Sequence, residues 1–206
     1  MKPSDRSGGS SREDRLTDAE AIPVVDDVRE LVEHCLQGDP AAAVKLVDRF
    51  RGMVFGLCYR MLAHRQDAED VTQESFVRVF RNLHRWDSTR DFRPWLLAIA
   101  GNRCRSLLAT RRRRPQPLEL VDQWPDRGGD VQDARNLADE VSRALAGLRD
   151  EYRQAFLLFH QQHLSYAEIS VALDCPLGTV KTWVHRARRE LGDVLRSRGA
   201  VEEFHP

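Results

Sequence analysis

From Asp26 to Leu83 apolar residues recur every three or four positions, broken by turn signals, and this spacing predicts helices. The first spans about Asp27 to Gln37 and stops at Gly38-Asp39-Pro40, where Gly closes one helix and Pro opens the next. The second runs from about Pro40 to Ala63, with Val44, Val47, Phe50, Val54, Leu57, Tyr59 and Leu62 as its apolar positions. The third begins near Asp67 and continues to about Leu83. Asp67, Glu69 and Asp70 fall in its first turn, where the helix dipole favours acids, and Phe76, Val79, Phe80 and Leu83 share its core side. Asp70, Gln73 and Glu74 leave an acidic patch near the start, which by itself reads as a capped, solvated helix end. The segment HRWDSTRDF at 84–92 clusters Asp, Ser and Thr between helices and reads as a loop. Pro94 then opens a long helix with Trp95, Leu96, Ile99, Ala100, Leu107 and Leu108 on its apolar side, ending in Arg103, Arg105 and the run Arg111 to Arg114.

Residues 115–134 hold three prolines, two glycines and five acids, the composition of a flexible acidic linker. Beyond it the pattern predicts helices from about Arg135 to Leu145 and from about Asp150 to Gln162. Residues 164–191, LSYAEISVALDCPLGTVKTWVHRARREL, then give a helix-turn-helix. Ser165 and Glu168 form a capping box, so a helix begins near Tyr166, with Tyr166, Ile169 and Leu173 on one face. Asp174 occupies the position where the chain needs positive φ, Cys175 the next N-cap, and Pro176 the first helical residue. On the second helix Val180, Trp183, Val184, Ala187 and Leu191 fall in one arc. Lys181, Thr182, His185, Arg186, Arg188 and Arg189 fill much of the rest.

The fold class is therefore all-α: a domain over 26–114, a linker over 115–134 and a second domain over 135–198. Polar tails at 1–25 and 199–206 have too few large apolar residues to fold. The chain has 206 residues, with 32 basic and 32 acidic side chains and a formal net charge of zero. Nothing in that total announces a nucleic-acid binder; the segregation of charge along the chain does. Cys35, Cys58, Cys104 and Cys175 are far apart and include no CxxC pair, so reduced thiols are expected rather than disulfides or a zinc ribbon. His160 and His163 lack a third ligand nearby, so no metal or other cofactor is expected. The N-terminus lacks a signal-peptide core, and the apolar run around 95–100 is too short to span a membrane, which points to the cytoplasm.

A solvated charged face is the commoner fate of an amphipathic helix. The second helix of the helix-turn-helix differs: its charge is nearly all of one sign, with Glu190 its only acid, and it follows a short turn that makes it protrude. This suits the major groove, with Arg reading guanine edges and phosphates. The arginine run after Pro94 gains from the helix dipole at a C-terminus. With Arg103 and Arg105 one and two turns back it also forms a phosphate-tracking stripe, and Trp beside basic residues suits unstacked bases.

Three motifs in order, DAEDVTQESFVRVF at 67–80, DFRPWLLAIAGNRC at 91–104 and the helix-turn-helix at 164–191, resemble the bacterial sigma-70 family in its small extracytoplasmic-function (ECF) branch. The resemblance covers about 27–198. It implies sigma domain 2 over the first half and domain 4 over the second, with no catalytic residues. It implies core RNA polymerase as a partner, through its clamp coiled coil, which would take Asp70, Gln73 and Glu74, and through its flap. It implies promoter DNA as a second partner. The −10 element would meet Trp86, Asp87, Phe92, Trp95, Asn102 and Arg103, and the −35 element Lys181, Thr182, His185, Arg186 and Arg189. An anti-sigma factor is a further expected partner. The sequence departs from the family pattern at Leu97, Ala98 and Gly101, where relatives often carry aromatic or basic residues, which implies fewer contacts to melted DNA. It departs again at Asp174, Trp183 and His185.

Two rivals stand beside this reading. A helix-turn-helix repressor or activator explains 164–191 but leaves the acidic patch and the aromatic-basic helix idle; tight duplex binding by the protein alone would favour it. A hydrolase or metalloenzyme using the histidines lacks a partnered nucleophile, and metal analysis discriminates it.

Overall fold

The computed structural model describes residues 27–113 and 132–197, with side chains in the second stretch from residue 140. The expectations for the two tails and for the linker at 115–131 lie outside the described residues. Eight α-helices carry the described chain: α1 (Val28–Leu36), α2 (Pro40–Leu62), α3 (Arg65–Asn82), α4 (Phe92–Arg113), α5 (Gln132–Gly147), α6 (Asp150–His160), α7 (Tyr166–Leu173) and α8 (Leu177–Ser197). A 3₁₀ turn, Leu83–Arg85, follows α3, and there is no strand among the described residues.

Local chemistry accounts for most boundaries. Asp27 caps α1 by accepting from Arg29 N at 3.2 Å, and Asp39 caps α2 by accepting from Ala41 N at 2.8 Å with Pro40 behind it. Ser165 accepts from Glu168 N while Glu168 Oε2 accepts from Ser165 N at 2.7 Å, so the capping box is complete. Asp174 adopts φ 49° and closes α7, as its position in the turn predicts.

Four expectations are corrected. Helix α3 starts at Arg65 rather than Asp67, because His64 supplies the cap by accepting from Asp67 N at 3.3 Å. Helix α4 starts at Phe92, since Asp91 accepts from Arg93 N at 3.1 Å and Pro94 is tolerated within a first turn that needs no N–H partner. Helix α8 starts at Leu177: the Pro176 carbonyl already accepts from Thr179 and Val180, which makes Pro176 the residue before the helix. Val44, expected in the core, is 60% exposed because α2 turns that face outward, while Ala42 and Leu46 pack instead.

Helices α2, α3 and α4 form the first bundle, with α1 against α2; α6, α7 and α8 form the second, with α5 against α8. Leu46, Val54, Leu57, Met61, Val79 and Leu96 are fully buried in the first. Leu158, Ile169, Val180, Val184 and Ala187 are fully buried in the second. Each large apolar side chain buried this way stabilises by about 1.5–3 kcal/mol.

The two bundles also pack on each other. Helices α6 and α7 lie against α4, and α5 and α6 against α2, so the buried apolar residues form one connected cluster. Arg153 of α6 is 5% exposed and donates to the Met61 carbonyl of α2 at 2.5 Å, and to the Ala146 and Leu148 carbonyls. Arg93 of α4 donates to the Gln162 carbonyl at 2.8 Å, and Arg112 pairs with Asp150. Leu97, Ala98 and Gly101, the departures noted in α4, are buried residues.

Candidate nucleic-acid and polymerase interfaces

Helix α4 has two working sides. On one, a groove of about 320 Å³ opens between α3 and α4, lined by Arg78, Asn82 and Arg85 with Trp95, Ile99, Asn102, Arg103 and Ser106. The α4 members recur at helical spacing and face Arg78 and Asn82 of α3 and Arg85 of the 3₁₀ turn, so guanidinium groups flank an indole. Such a groove can take a base against the ring and a phosphate against the arginines. Arg78, Asn82, Arg85 and Ser106 were not singled out from the sequence, and Ile99 was read only as part of the apolar side of its helix. Their two stripes become one site only once α3 and α4 are known to be neighbours.

Phe92 lies at the root of this region and is 1% exposed. Its ring meets Phe50 at 5.4 Å, Trp95 at 5.5 Å and Trp86 edge-on at 5.3 Å, so it positions both tryptophans from within the core rather than presenting itself to DNA. Trp86 and Trp95 are half-buried. Between Trp86 and α4 the loop is fixed by Asp87, whose Oδ1 accepts from Thr89 N at 3.0 Å and Thr89 Oγ1 at 2.6 Å, with Arg90 at 3.1 Å from Oδ2. The Thr89 hydrogen bonds hold the Asp87 carboxyl below its ordinary range.

The acidic patch and the groove touch. Asp70 and Gln73 are exposed on α3, but Glu74 accepts from Arg103 Nε at 2.5 Å and from Arg78 Nη2 at 2.8 Å. Burial pushes its carboxyl upward, yet the two guanidinium groups outweigh that and leave it lowered. The arginine stripe expected along the end of α4 is largely neutralised within the chain: Arg103 is held by Glu74, Arg111 pairs with Asp67, and Arg112 pairs with Asp150. Arg105 donates to Asn102 Oδ1 at 2.6 Å. Arg113 is exposed, and Arg114 lies outside the described residues.

In the second bundle Lys181, Thr182, His185, Arg186 and Arg189 are all exposed and line one open concave face with Glu190. The opposite side of α8 buries Val180, Val184, Ala187 and Leu191, with Trp183 half-buried beside them, so the predicted arc divides as expected. Arg186 is tied from below: its Nη1 donates to the Tyr152 hydroxyl at 2.8 Å, and that contact lowers the Tyr152 phenol's pKa. Arg188 donates to His160 Nε2 at 2.9 Å and stacks over Phe159 at 5.4 Å, which turns it away from the concave face. Among the described residues no group of three or more His, Cys, Asp or Glu could hold a metal, and all four cysteines are free thiols. No helix of the described residues is long and apolar enough to cross a membrane.

Residues 46–114 match the family model for Sigma-70 region 2, and residues 138–191 match that for Sigma-70, region 4. The chain is 32% identical over 185 residues to the ECF RNA polymerase sigma factor SigW of Bacillus subtilis, covering 82% of this chain and 97% of that protein. It belongs to the ECF branch of the sigma-70 family. The ECF RNA polymerase sigma-E factor of Escherichia coli is 33% identical over 81% of this chain and 93% of its own length. CnrH, solved with the cytosolic domain of CnrY, shares the fold at a TM-score of 0.63 and 26% identity, over 82% of this chain and 97% of that one. The sigma factor RpoE of Bartonella quintana, solved with the anti-sigma factor NepR, shares it at a TM-score of 0.62 and 23% identity, over 74% of this chain and 95% of that one. As an ECF sigma factor the protein is a transcription initiation factor. The groove on α4 lies in region 2 and the concave face of α8 in region 4.

Proposed function

We propose that this sigma factor binds core RNA polymerase, reads a −35 element with α8 and a −10 element with the α3–α4 groove, and promotes opening of the DNA between them. The observation that carries the reading is the pairing, in one chain, of two different nucleic-acid faces. The face on α8 is open and basic, fit for the duplex major groove through Lys181, Thr182, His185, Arg186 and Arg189. The groove on α4 places an indole among guanidinium groups, fit for unpaired bases, with Trp95, Asn102 and Arg103 in its lining; Trp86 packs on Phe92, and Asp87 follows Trp86 in the loop before α4.

Asp70, Gln73 and Glu74 face the clamp coiled coil in this scheme, and the flap holds the second bundle. Two weak DNA contacts on one chain gain by effective concentration once polymerase fixes their spacing. No covalent step is involved, and the setting is the cytoplasm, where polymerase is. CnrH and the Bartonella RpoE were each solved with a regulator, and by analogy an anti-sigma factor restrains this protein too.

The test separates the two faces in reconstituted holoenzyme. Lys181→Ala weakens binding to a −35 duplex and leaves a pre-melted −10 template bound, whereas Trp95→Ala does the reverse. Equal loss of core-polymerase affinity in both variants would sink the division of labour.

A further inference from the structure

Arg186 is set apart on the basic face of α8 by what lies beneath it. Thr182 bonds within its own helix, its hydroxyl donating to the Gly178 carbonyl at 2.8 Å, whereas Arg186 reaches another helix and donates from Nη1 to the Tyr152 hydroxyl at 2.8 Å. Tyr152 stands on α6 with its ring packed in the core, 5% exposed, so the position of its hydroxyl is fixed. The Arg186 Cζ is 6.0 Å from the ring centroid, at the outer limit of a cation–π contact, which leaves the hydroxyl as the principal partner. Arg149, exposed just before α6, brings a second guanidinium to the same ring, its Cζ 5.7 Å from the centroid. The hydrogen bond from Arg186, helped by Arg149, holds the phenol below its ordinary range. This contact is not what seats α8, which is anchored from its buried side by Val180, Val184, Ala187 and Leu191.

The consequence follows from the shape of a guanidinium group, whose N–H donors lie in one planar fork. With Nη1 engaged by Tyr152, the Nε–Nη2 edge remains as a parallel pair of donors, the pattern that meets guanine O6 and N7. An unrestrained arginine loses rotamer freedom when it docks; one already held at Nη1 has given up much of that freedom beforehand and is aimed.

We propose that Tyr152 is a positioning residue for −35 recognition, holding Arg186 by Nη1 so that its Nε–Nη2 edge meets a guanine. The inference rests on α8 being the −35 reader. Tyr152 touches no base itself; it sets how sharply the base pair opposite Arg186 is discriminated.

The test has two arms. The first is an ultraviolet titration of the three tyrosines in the free full chain, which involves no DNA. One tyrosine should ionise early; that step should vanish in Tyr152→Phe and move to higher pH in Arg186→Ala. No early step, or one indifferent to Arg186→Ala, overturns the contact. The second arm uses reconstituted holoenzyme on promoters in which each −35 base pair is varied singly. Arg186→Ala should erase a guanine preference at one position. Tyr152→Phe should weaken the preference at that position alone by about two- to tenfold, the effect of one lost hydrogen bond, and should add nothing in the Arg186→Ala background. Equal loss at every position in Tyr152→Phe, as a purely structural role would give, overturns the positioning role, and so does an undiminished preference. Arg186→Ala weakening every promoter alike would put Arg186 on a phosphate and overturn the inference too. Arg186→Ala changing no promoter would sink the −35 reading of α8 itself, a failure told apart from the others because the tyrosine titration still responds to Arg186.

Discussion

Replacing Phe92 by Ala separates a residue that supports Trp86 and Trp95 from within the core from one that touches DNA. Phe92 is 1% exposed and its ring meets three aromatic partners within 5.5 Å. Removing a buried Phe side chain costs about 3–5 kcal/mol through lost transfer energy and the cavity left behind. That is a large fraction of the roughly 5–15 kcal/mol that holds a typical domain folded. At a denaturant slope of about 2 kcal/mol per molar urea, the unfolding midpoint should fall by about 2 M. Tryptophan fluorescence should change at once in native buffer, because Trp86 and Trp95 both lose their central neighbour. Phe92→Leu keeps most of the volume but none of the ring edges, and should cost about 1–2 kcal/mol. An exposed DNA-contacting Phe would behave otherwise, shifting stability by no more than about 0.5 kcal/mol. A midpoint for Phe92→Ala within about 0.3 M of the unaltered protein, together with loss of promoter opening, would refute the buried, positioning role.

Other variants report on single contacts. Ser165→Ala removes half of the capping box and should destabilise the second bundle by about 1 kcal/mol, visible in urea denaturation. Glu74→Gln should change stability by under about 1 kcal/mol, since the pair with Arg78 and Arg103 is partly exposed, yet weaken core-polymerase binding; full affinity in a pull-down would remove Glu74 from the clamp contact. Lys181→Ala should lower the salt slope of −35 duplex binding by about one, as expected for a lost phosphate contact, and an unchanged slope would place Lys181 off the backbone. His160 is held below its ordinary 6.5 by burial and by Arg188 and His163. The unfolded chain therefore takes up that proton first, and stability falls as pH drops through about 6.5 toward the depressed value. His160→Gln keeps an acceptor for Arg188 and should flatten that part of a melting-temperature profile; an unaltered slope would show that His160 does not set it.

What the sequence made legible follows the range of the interaction. The capping box at Ser165 and Glu168, the left-handed Asp174 and the Asp39-Pro40 start of α2 are each written within a few residues, and each stands where the pattern puts it. The basic face of α8 was legible for the same reason, since one helix's periodicity sorts its own residues. Misses came where a partner is distant in the chain. Phe92 looks like a loop aromatic until Phe50, on another helix, is seen beneath it. The arginines at the end of α4 look free until Asp67 and Asp150 are brought to them. Gly101 reads as a lost DNA contact, whereas the structure makes it the one residue that lets Gln154 in. The α3–α4 groove escaped because neither helix alone carries a complete site.

The central claim is tested most directly by run-off transcription with purified core polymerase on a panel of promoters, with and without this sigma factor. The account predicts new, promoter-specific transcripts that depend on the factor and vanish when residues 135–206 are deleted. No transcript on any promoter, together with tight binding of duplex DNA by the protein alone, would contradict it and favour a polymerase-independent helix-turn-helix regulator.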